Sequence, residues 1–535
     1  MANTERRTIN EALLAVGEPG KYQLLLLLFI FVPGALTAMQ TLVVVFSQAG
    51  MGYRCQDEFP ALNSTTDGNT TLNSSMMLEY NKCPEDVGLQ CSGFTYNSTV
   101  FTSTIISEFD LVCGRSWIPT YINVFYMLIR LPAGLVLGQF IDRLGRKKAV
   151  LIGLFLQGAI GVASAYSVNV EMYTVFRTLS AIPVIAIWDS LATLLSEVTT
   201  PHKRPHILMG MIFAWGTGIV ALSPFGYLIR DWRTLQMAIS VPSFIFLIAG
   251  YWMYDESPHW LYSQGKYKEA QLVVDKIARW NRIPSFQMSS ADPAADGDKS
   301  EEIQDSGESS LKNSCGRIIK SKTLMAILAV CAFSWLATNM GYTGLAFGLG
   351  SLAGDVYLNN LISGVTEFFA YCICFLVIPG GRKLIFVILM IVGGLGLVSS
   401  AVVLDFAGHL TWLVILTTMI GRLSLAAGWQ IQYLWCLELF PTTIRLTMVQ
   451  ISMMTGHIGS AVAPIINDLP KHITNPTIRK NMISPSVYGV LLIVSGLLAI
   501  YLPETNNKAL PVSLDSEMTD TKRGFVIIMD TLLEK

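Results

Sequence analysis

Several ionisable side chains stand inside stretches of sequence that are otherwise apolar. Glu367 lies at the centre of one such stretch, 355–378, which carries no basic residue. Asp189 follows Trp188 in 172–195, and Arg130 stands in 118–140, twelve residues before Asp142. His457 falls near the middle of 446–467. A charge inside a bilayer is costly, so such groups face a protein interior or a cavity, and a functional role is their default reading. On that ground Glu367 is expected to hold a ligand. Asp189 has two readings, pairing with Arg130 or contacting a ligand. Arg177 and Arg422, nearer the ends of their stretches, are expected to be structural. Trp188, Trp215, Trp335, Tyr342 and Trp429 add aromatic faces, and Trp335 and Tyr342, seven apart, share one face of a helix. Interfacial belts account for many membrane tryptophans. A cavity with aromatic faces and a carboxylate, however, suits an organic cation or a zwitterion with a quaternary amine.

The elements that must position these groups are legible from composition. Of 535 residues, 52% are hydrophobic and 14% charged, against about 25% charged in soluble domains. The net charge of −1 gives no sign of nucleic-acid binding. The apolar residues fall in blocks, which predicts an all-α polytopic membrane protein. Twelve spans are expected, near 24–46, 118–140, 148–167, 172–195, 206–228, 233–254, 323–346, 355–378, 384–404, 411–434, 446–467 and 486–502. They form two six-helix halves, 24–254 and 323–502. Between them lies a cytosolic loop, 255–322, with an amphipathic helix from Lys266 to Arg282 and a polar stretch, 285–310, expected to be disordered.

Residues 47–116 form a long polar loop with acceptor sequons at Asn63, Asn69, Asn73 and Asn97. It also holds Cys55, Cys83, Cys91 and Cys113. Four sequons beside an even cysteine set place the loop in an oxidising, glycosylating compartment, closed by two disulfides of unspecified pairing. The other five cysteines are expected to be free thiols. With that loop outside, the tails 1–23 and 503–535 are cytosolic. The short cytosolic loops then carry most of the loop lysines and arginines, as the positive-inside bias requires. Arg230, Arg233, Lys471, Arg479 and Lys480 are exceptions on the outer side.

Between the second and third spans, Gly138 to Lys148 packs Asp142, Arg143, Arg146, Lys147 and Lys148 into a turn, with glycines at 138 and 145. Asp142 can accept from the free N–H groups opening the next helix, or pair with an arginine. The turn recurs: Gly145-Arg146-Lys147 returns as Gly381-Arg382-Lys383, though Ile378 stands where the first copy has Asp142. Glu197 and Arg204, seven apart, return as Glu438 and Arg445. Such a repeat is expected of a two-bundle transporter. No spaced metal ligands or phosphate loop are present, so no cofactor, metal or enzymatic reaction is expected.

The 138–148 turn resembles the loop between helices 2 and 3 of major facilitator superfamily transporters. Further motifs are Ser103 to Cys113, Glu256-Ser257-Pro258-His259-Trp260-Leu261, Glu438-Leu439-Phe440-Pro441-Thr442-Thr443-Ile444-Arg445 and Pro503-Glu504-Thr505. With the glycosylated first loop, they make nearly the whole chain resemble the solute carrier 22 family of organic ion transporters, most of all its organic cation and carnitine branch. The resemblance implies a major facilitator fold with a central substrate site between the halves, worked by alternating access in the plasma membrane. It implies substrate contacts at Trp188, Trp215, Trp335, Tyr342, Glu367, Gln430 and His457. The implied partners are a small organic ion and the lipid bilayer, with the coupling ion undefined. The family usually has arginine at His259. At His457, cation carriers tend to have aspartate, and anion and carnitine carriers tend to have arginine. A histidine there is expected to tune the preferred substrate charge.

Overall fold

The computed structural model describes residues 20–56, 59–60, 75–76, 81, 83, 91–200, 203–284, 322–352, 354–377, 381–440, 445–472 and 482–505. Among these, eleven helices are long and apolar enough to cross a membrane. They are α1 (Lys21–Ser47), α2 (Cys113–Leu144), α3 (Arg146–Ala165), α4 (Val170–Glu197), α5 (Ile207–Leu228) and α6 (Trp232–Met253), then α7 (Leu324–Gly348), α8 (Val356–Phe375), α9 (Lys383–Phe406), α10 (Thr411–Leu439) and α11 (Thr447–Pro470). A twelfth apolar helix, α12 (Ile483–Ala499), has 17 residues and spans about 25 Å at the usual rise. Charge-free runs of this length become helices because lipid offers the backbone no hydrogen-bond partner. Polar residues set the helix starts. Asn169 Oδ1 accepts from Met172 N at 2.8 Å to begin α4, and Asp231 Oδ2 accepts from Thr234 N at 2.9 Å to begin α6.

Small residues let the helices pack backbone to backbone. A Cβ on Gly459 of α11 would collide with the Leu336 carbonyl of α7. One on Gly394 of α9 would lie 2.6 Å from the Gly489 carbonyl of α12. Arg177 is structural, as expected. Its guanidinium donates to the carbonyls of Gln40 and Thr41 at 2.6 and 2.8 Å and covers the Tyr126 ring at 4.2 Å, tying α4 to α1 and α2.

The loop between α1 and α2 carries β1 (Tyr53–Cys55), β2 (Phe59–Pro60), β3 (Ser75–Met76) and β4 (Phe94–Tyr96), in two antiparallel pairs, β1–β4 and β2–β3. Of the three possible pairings, the structure has Cys55–Cys91 and Cys83–Cys113. Cys331, Cys372, Cys374 and Cys436 are free thiols, and Cys315 lies outside the described residues. The loop is fastened to the start of α6. Glu108 accepts from Trp232 Nε1 at 2.6 Å and pairs with Arg233 at 2.5 Å. Arg230 reaches the Thr99 carbonyl at 3.4 Å. The loop thus engages both Arg230 and Arg233. Lys471 is described only in its backbone, and Arg479 and Lys480 lie outside the described residues. Asn97 is exposed; Asn63, Asn69 and Asn73 lie outside the described residues. Glycosidase treatment of the protein from animal cells is expected to lower its mass on a gel, and replacing all four asparagines should abolish that shift. An unchanged wild-type band would contradict an external loop.

After α6 come two short helices, Pro258–Ser263 and Tyr267–Asn281. The second matches the amphipathic pattern expected from Lys266 to Arg282. Its Val274, Ile277 and Ala278 are buried against Tyr22 and Leu26 of α1. Asn281 Oδ1 accepts from Tyr22 N at 3.1 Å, and Lys276 pairs with Asp255 at 2.7 Å. Residues 285–310, expected to be disordered, lie outside the described residues.

Candidate functional site

The turn between α2 and α3 holds Gly145 at φ 93°, a region that favours glycine. A Cβ there would collide with the Glu256 carboxylate. That closeness lets Glu256 Oε1 accept from Arg146 N at 2.7 Å and Lys147 N at 3.2 Å. Glu256, not Asp142, therefore occupies the electropositive start of α3. Asp142 instead pairs with Arg146 at 3.1 Å, with 71% of its side chain exposed. Arg146 also reaches Glu197 at 3.0 Å, and Trp260 Nε1 donates to the Asp142 carbonyl at 2.6 Å. Arg143 is exposed. His259, next to Trp260, is held below the usual histidine range by burial, with Glu197 opposing the shift and Arg204 adding to it.

The second half repeats the device. Gly381 has φ 122°, and Glu504 accepts from Arg382 N at 3.0 Å and Lys383 N at 3.1 Å. Arg382 pairs with Glu438 at 3.1 Å. Arg204 and Arg445 serve carbonyls instead: Arg204 Nε donates to Ser196 at 3.0 Å, and Arg445 Nε to Phe440 at 3.2 Å. The sequence repeat therefore marks equivalent turns, in which each glutamate pairs with the arginine of the preceding glycine turn.

The halves meet at the end that bears the large loop. Phe46 of α1 stacks on Tyr357 of α8 with ring centres 5.3 Å apart. Tyr357 donates to the Val100 carbonyl at 3.2 Å. At the opposite end α2 is uncovered: Leu135, Val136 and Phe140 are exposed, and nothing lies within 4 Å of a Cβ placed on Gly134 or Gly138. The halves are thus in contact at the loop end, and α2 is uncovered at the end of the basic turns.

In the membrane interior the expected site residues divide into two groups. The first joins α5 to α7, α8 and α10. Trp215 Nε1 donates to the Tyr342 hydroxyl at 3.0 Å, which donates to Glu367 Oε1 at 2.8 Å. Tyr371 donates to Glu367 Oε2 at 2.9 Å, and Arg422 pairs with Glu367 at 3.1 Å while covering the Tyr342 ring at 4.3 Å. Glu367 and Arg422 are each 1% exposed. Glu367, expected to hold a ligand, has protein partners on other helices. Its own helix has no basic residue, but α10 supplies one, and three donors saturate the carboxylate. Trp335 is likewise fully buried, edge-on to Trp429 at 5.5 Å.

The second group borders accessible space. Asp189 is exposed although its neighbours Ile187, Ser190 and Leu191 are buried. Arg130 of α2 acts electrostatically on both Asp189 and His457, and Asp189 acts on Tyr433 of α10. α2 packs against α4 of its own half and against α11 of the other, which brings these residues to the seam between the halves. His457, Gln430 and Trp188 are half-buried; Trp188 packs edge-on to Trp215 at 5.5 Å, and Tyr433 lies parallel to Trp429 at 6.1 Å. The charge facing His457 is that of Arg130, whereas Glu367 is held by Arg422. Sequence reading missed Tyr371 and Tyr433, whose only signal was aromatic content within a span.

The sequence profile described as "Sugar (and other) transporter" matches residues 45–511. An organic cation transporter-like protein of Drosophila melanogaster is 27% identical, over 98% of this chain and 94% of its own length. Organic cation/carnitine transporter 2 of Rattus norvegicus is 28% identical, over 79% and 73%. Solute carrier family 22 member 3 of the same species is 30% identical over the same shares. In fold, the chain is similar to the inward-open xylose transporter XylE of E. coli, with a TM-score of 0.62 at 16% identity, covering 95% of this chain and 99% of that one. These relatives are membrane transporters, not enzymes. The chain belongs to the sugar (and other) transporter family of the major facilitator superfamily and, within it, to the solute carrier 22 family of transporters.

Proposed function

We propose that this protein is a plasma-membrane carrier of small organic cations or zwitterions, carnitine-like in chemistry, working by alternating access. Its termini face the cytosol, and its large loop faces outside. The observation that carries the reading is the second interior group: an exposed carboxylate, Asp189, whose charge reaches Tyr433 of α10, where the Tyr433 and Trp429 ring faces stack. Such faces attract organic cations. The names of the organic cation and carnitine relatives support the same substrate class. Contact between the halves at the loop end, with α2 uncovered at the other, supports alternating access.

Organic-anion transport is the second reading, favoured by Arg130 beside His457. Uptake of labelled carnitine, tetraethylammonium and p-aminohippurate into expressing cells separates the two. Saturable uptake of either of the first two is expected; uptake of p-aminohippurate alone would overturn the proposal. His457 adds a sharper expectation. His457→Asp should favour tetraethylammonium and His457→Arg should favour carnitine or p-aminohippurate, each by roughly tenfold, the effect of one charged hydrogen bond. An unchanged ranking in both surface-expressed variants would make His457 a packing residue.

A further inference from the structure

Two charges in the inter-half space lack the partners that the rest of the interior provides. Glu367 is engaged by Arg422, Tyr342 and Tyr371, and both terminal nitrogens of Arg177 donate to carbonyls. Arg130 differs. Its Nη1 reaches only the Met127 sulfur, a weak acceptor, at 3.8 Å, so that none of its nitrogens has an oxygen partner; its Nε, like those of Arg177 and Arg422, is buried without one. Asp189 is exposed; it feels the charge of Arg130, and Tyr433 feels that of Asp189. No direct hydrogen bond or ion pair joins Arg130 to Asp189, although both are among the described residues. The two groups therefore stand near each other with donors and acceptors unused.

Building on the reading of a charged organic substrate, we propose that Arg130 and Asp189 form a split clamp for a zwitterion. Arg130, with His457 beside it, takes the substrate carboxylate. Asp189, with the Tyr433 ring stacked on Trp429, takes the ammonium. The two fixed charges sum to zero. A simple cation entering here meets the repulsion of Arg130, and a simple anion meets that of Asp189. A molecule bearing both charges satisfies both groups at once, so the pair selects by rejecting singly charged competitors as well as by attracting its own ligand. A guanidinium offers a carboxylate two parallel donors. A carboxylate beside aromatic faces suits an ammonium. The two ends thus differ in kind as well as in sign.

The test uses the full chain in cells, with labelled carnitine, tetraethylammonium and p-aminohippurate as probes and surface biotinylation as the measure of expression. Arg130→Gln should lower carnitine uptake about tenfold, the scale of one charged hydrogen bond, and raise the ratio of tetraethylammonium to carnitine. Asp189→Asn should lower carnitine uptake similarly and raise the ratio of p-aminohippurate to carnitine. Arg130→Lys and Asp189→Glu, which keep the charges, should keep the wild-type ranking. Equal losses for all probes in Arg130→Gln and Asp189→Asn at normal surface levels would overturn the clamp, as would unchanged carnitine uptake. Wild-type protein that moves tetraethylammonium but not carnitine would overturn the clamp while leaving the cation reading intact. Wild-type protein that moves no probe would overturn both.

Discussion

Glu367→Gln is expected to remove most of the folded protein from the cell surface, rather than merely to weaken uptake. Arg422 is 1% exposed and would keep its charge with its carboxylate partner gone. Its acceptors would then be one neutral amide oxygen and the Tyr342 carbonyl at 3.1 Å. Removing one member of a buried pair typically costs about 3–5 kcal/mol, because the other charge is left uncompensated. The hydroxyls of Tyr342 and Tyr371 lose their charged acceptor in the same step. Removing both charges in Glu367→Gln with Arg422→Met should recover part of the loss, since a neutral core of similar volume tolerates the change. Surface biotinylation and thermal unfolding in detergent measure both effects. Normal surface level and stability in Glu367→Gln, with cation uptake lost, would instead identify Glu367 as a substrate contact.

The second large effect is expected at Glu256. Glu256→Ala strips the start of α3 of a carboxylate that accepts from Arg146 N and Lys147 N. Hydrogen bonds to charged groups contribute about 1.5–3 kcal/mol each, and partial exposure brings their sum to the lower end of that range. Asp142→Asn touches only a side chain that is 71% exposed, and exposed pairs contribute about 1 kcal/mol or less. Thermal unfolding should therefore rank Glu256→Ala well below Asp142→Asn. Asp142 lies on the uncovered end of α2, so its substitution should appear as slower transport with binding retained. Equal stability losses in the two variants would mean that the turn is organised around Asp142 after all.

How much of this was legible in the sequence follows from the range of each interaction. The spans could be read because an apolar run needs no partner to declare itself, and the paired turns could be read because Gly-Arg-Lys and the two glutamates recur. What sequence could not give was the partner. Glu256 stands 110 residues from Arg146, and nothing local marks it as the cap of α3 in place of the nearer Asp142. Glu367 looked unpaired because only its own helix could be inspected, while its arginine sits 55 residues away. Arg130 and His457 come from different halves, and their adjacency is set by the packing of α2 against α11. The disulfide pairing was likewise open until the loop was seen folded.

The most direct test of the account is counterflow in proteoliposomes containing the purified full chain. Vesicles preloaded with unlabelled carnitine or tetraethylammonium are diluted into trace labelled compound. Alternating access at a single central site predicts a transient accumulation of label above equilibrium, absent from protein-free vesicles and blocked by excess external substrate. Label that only equilibrates, at a rate independent of preloading with either compound, would contradict a carrier of organic cations or zwitterions.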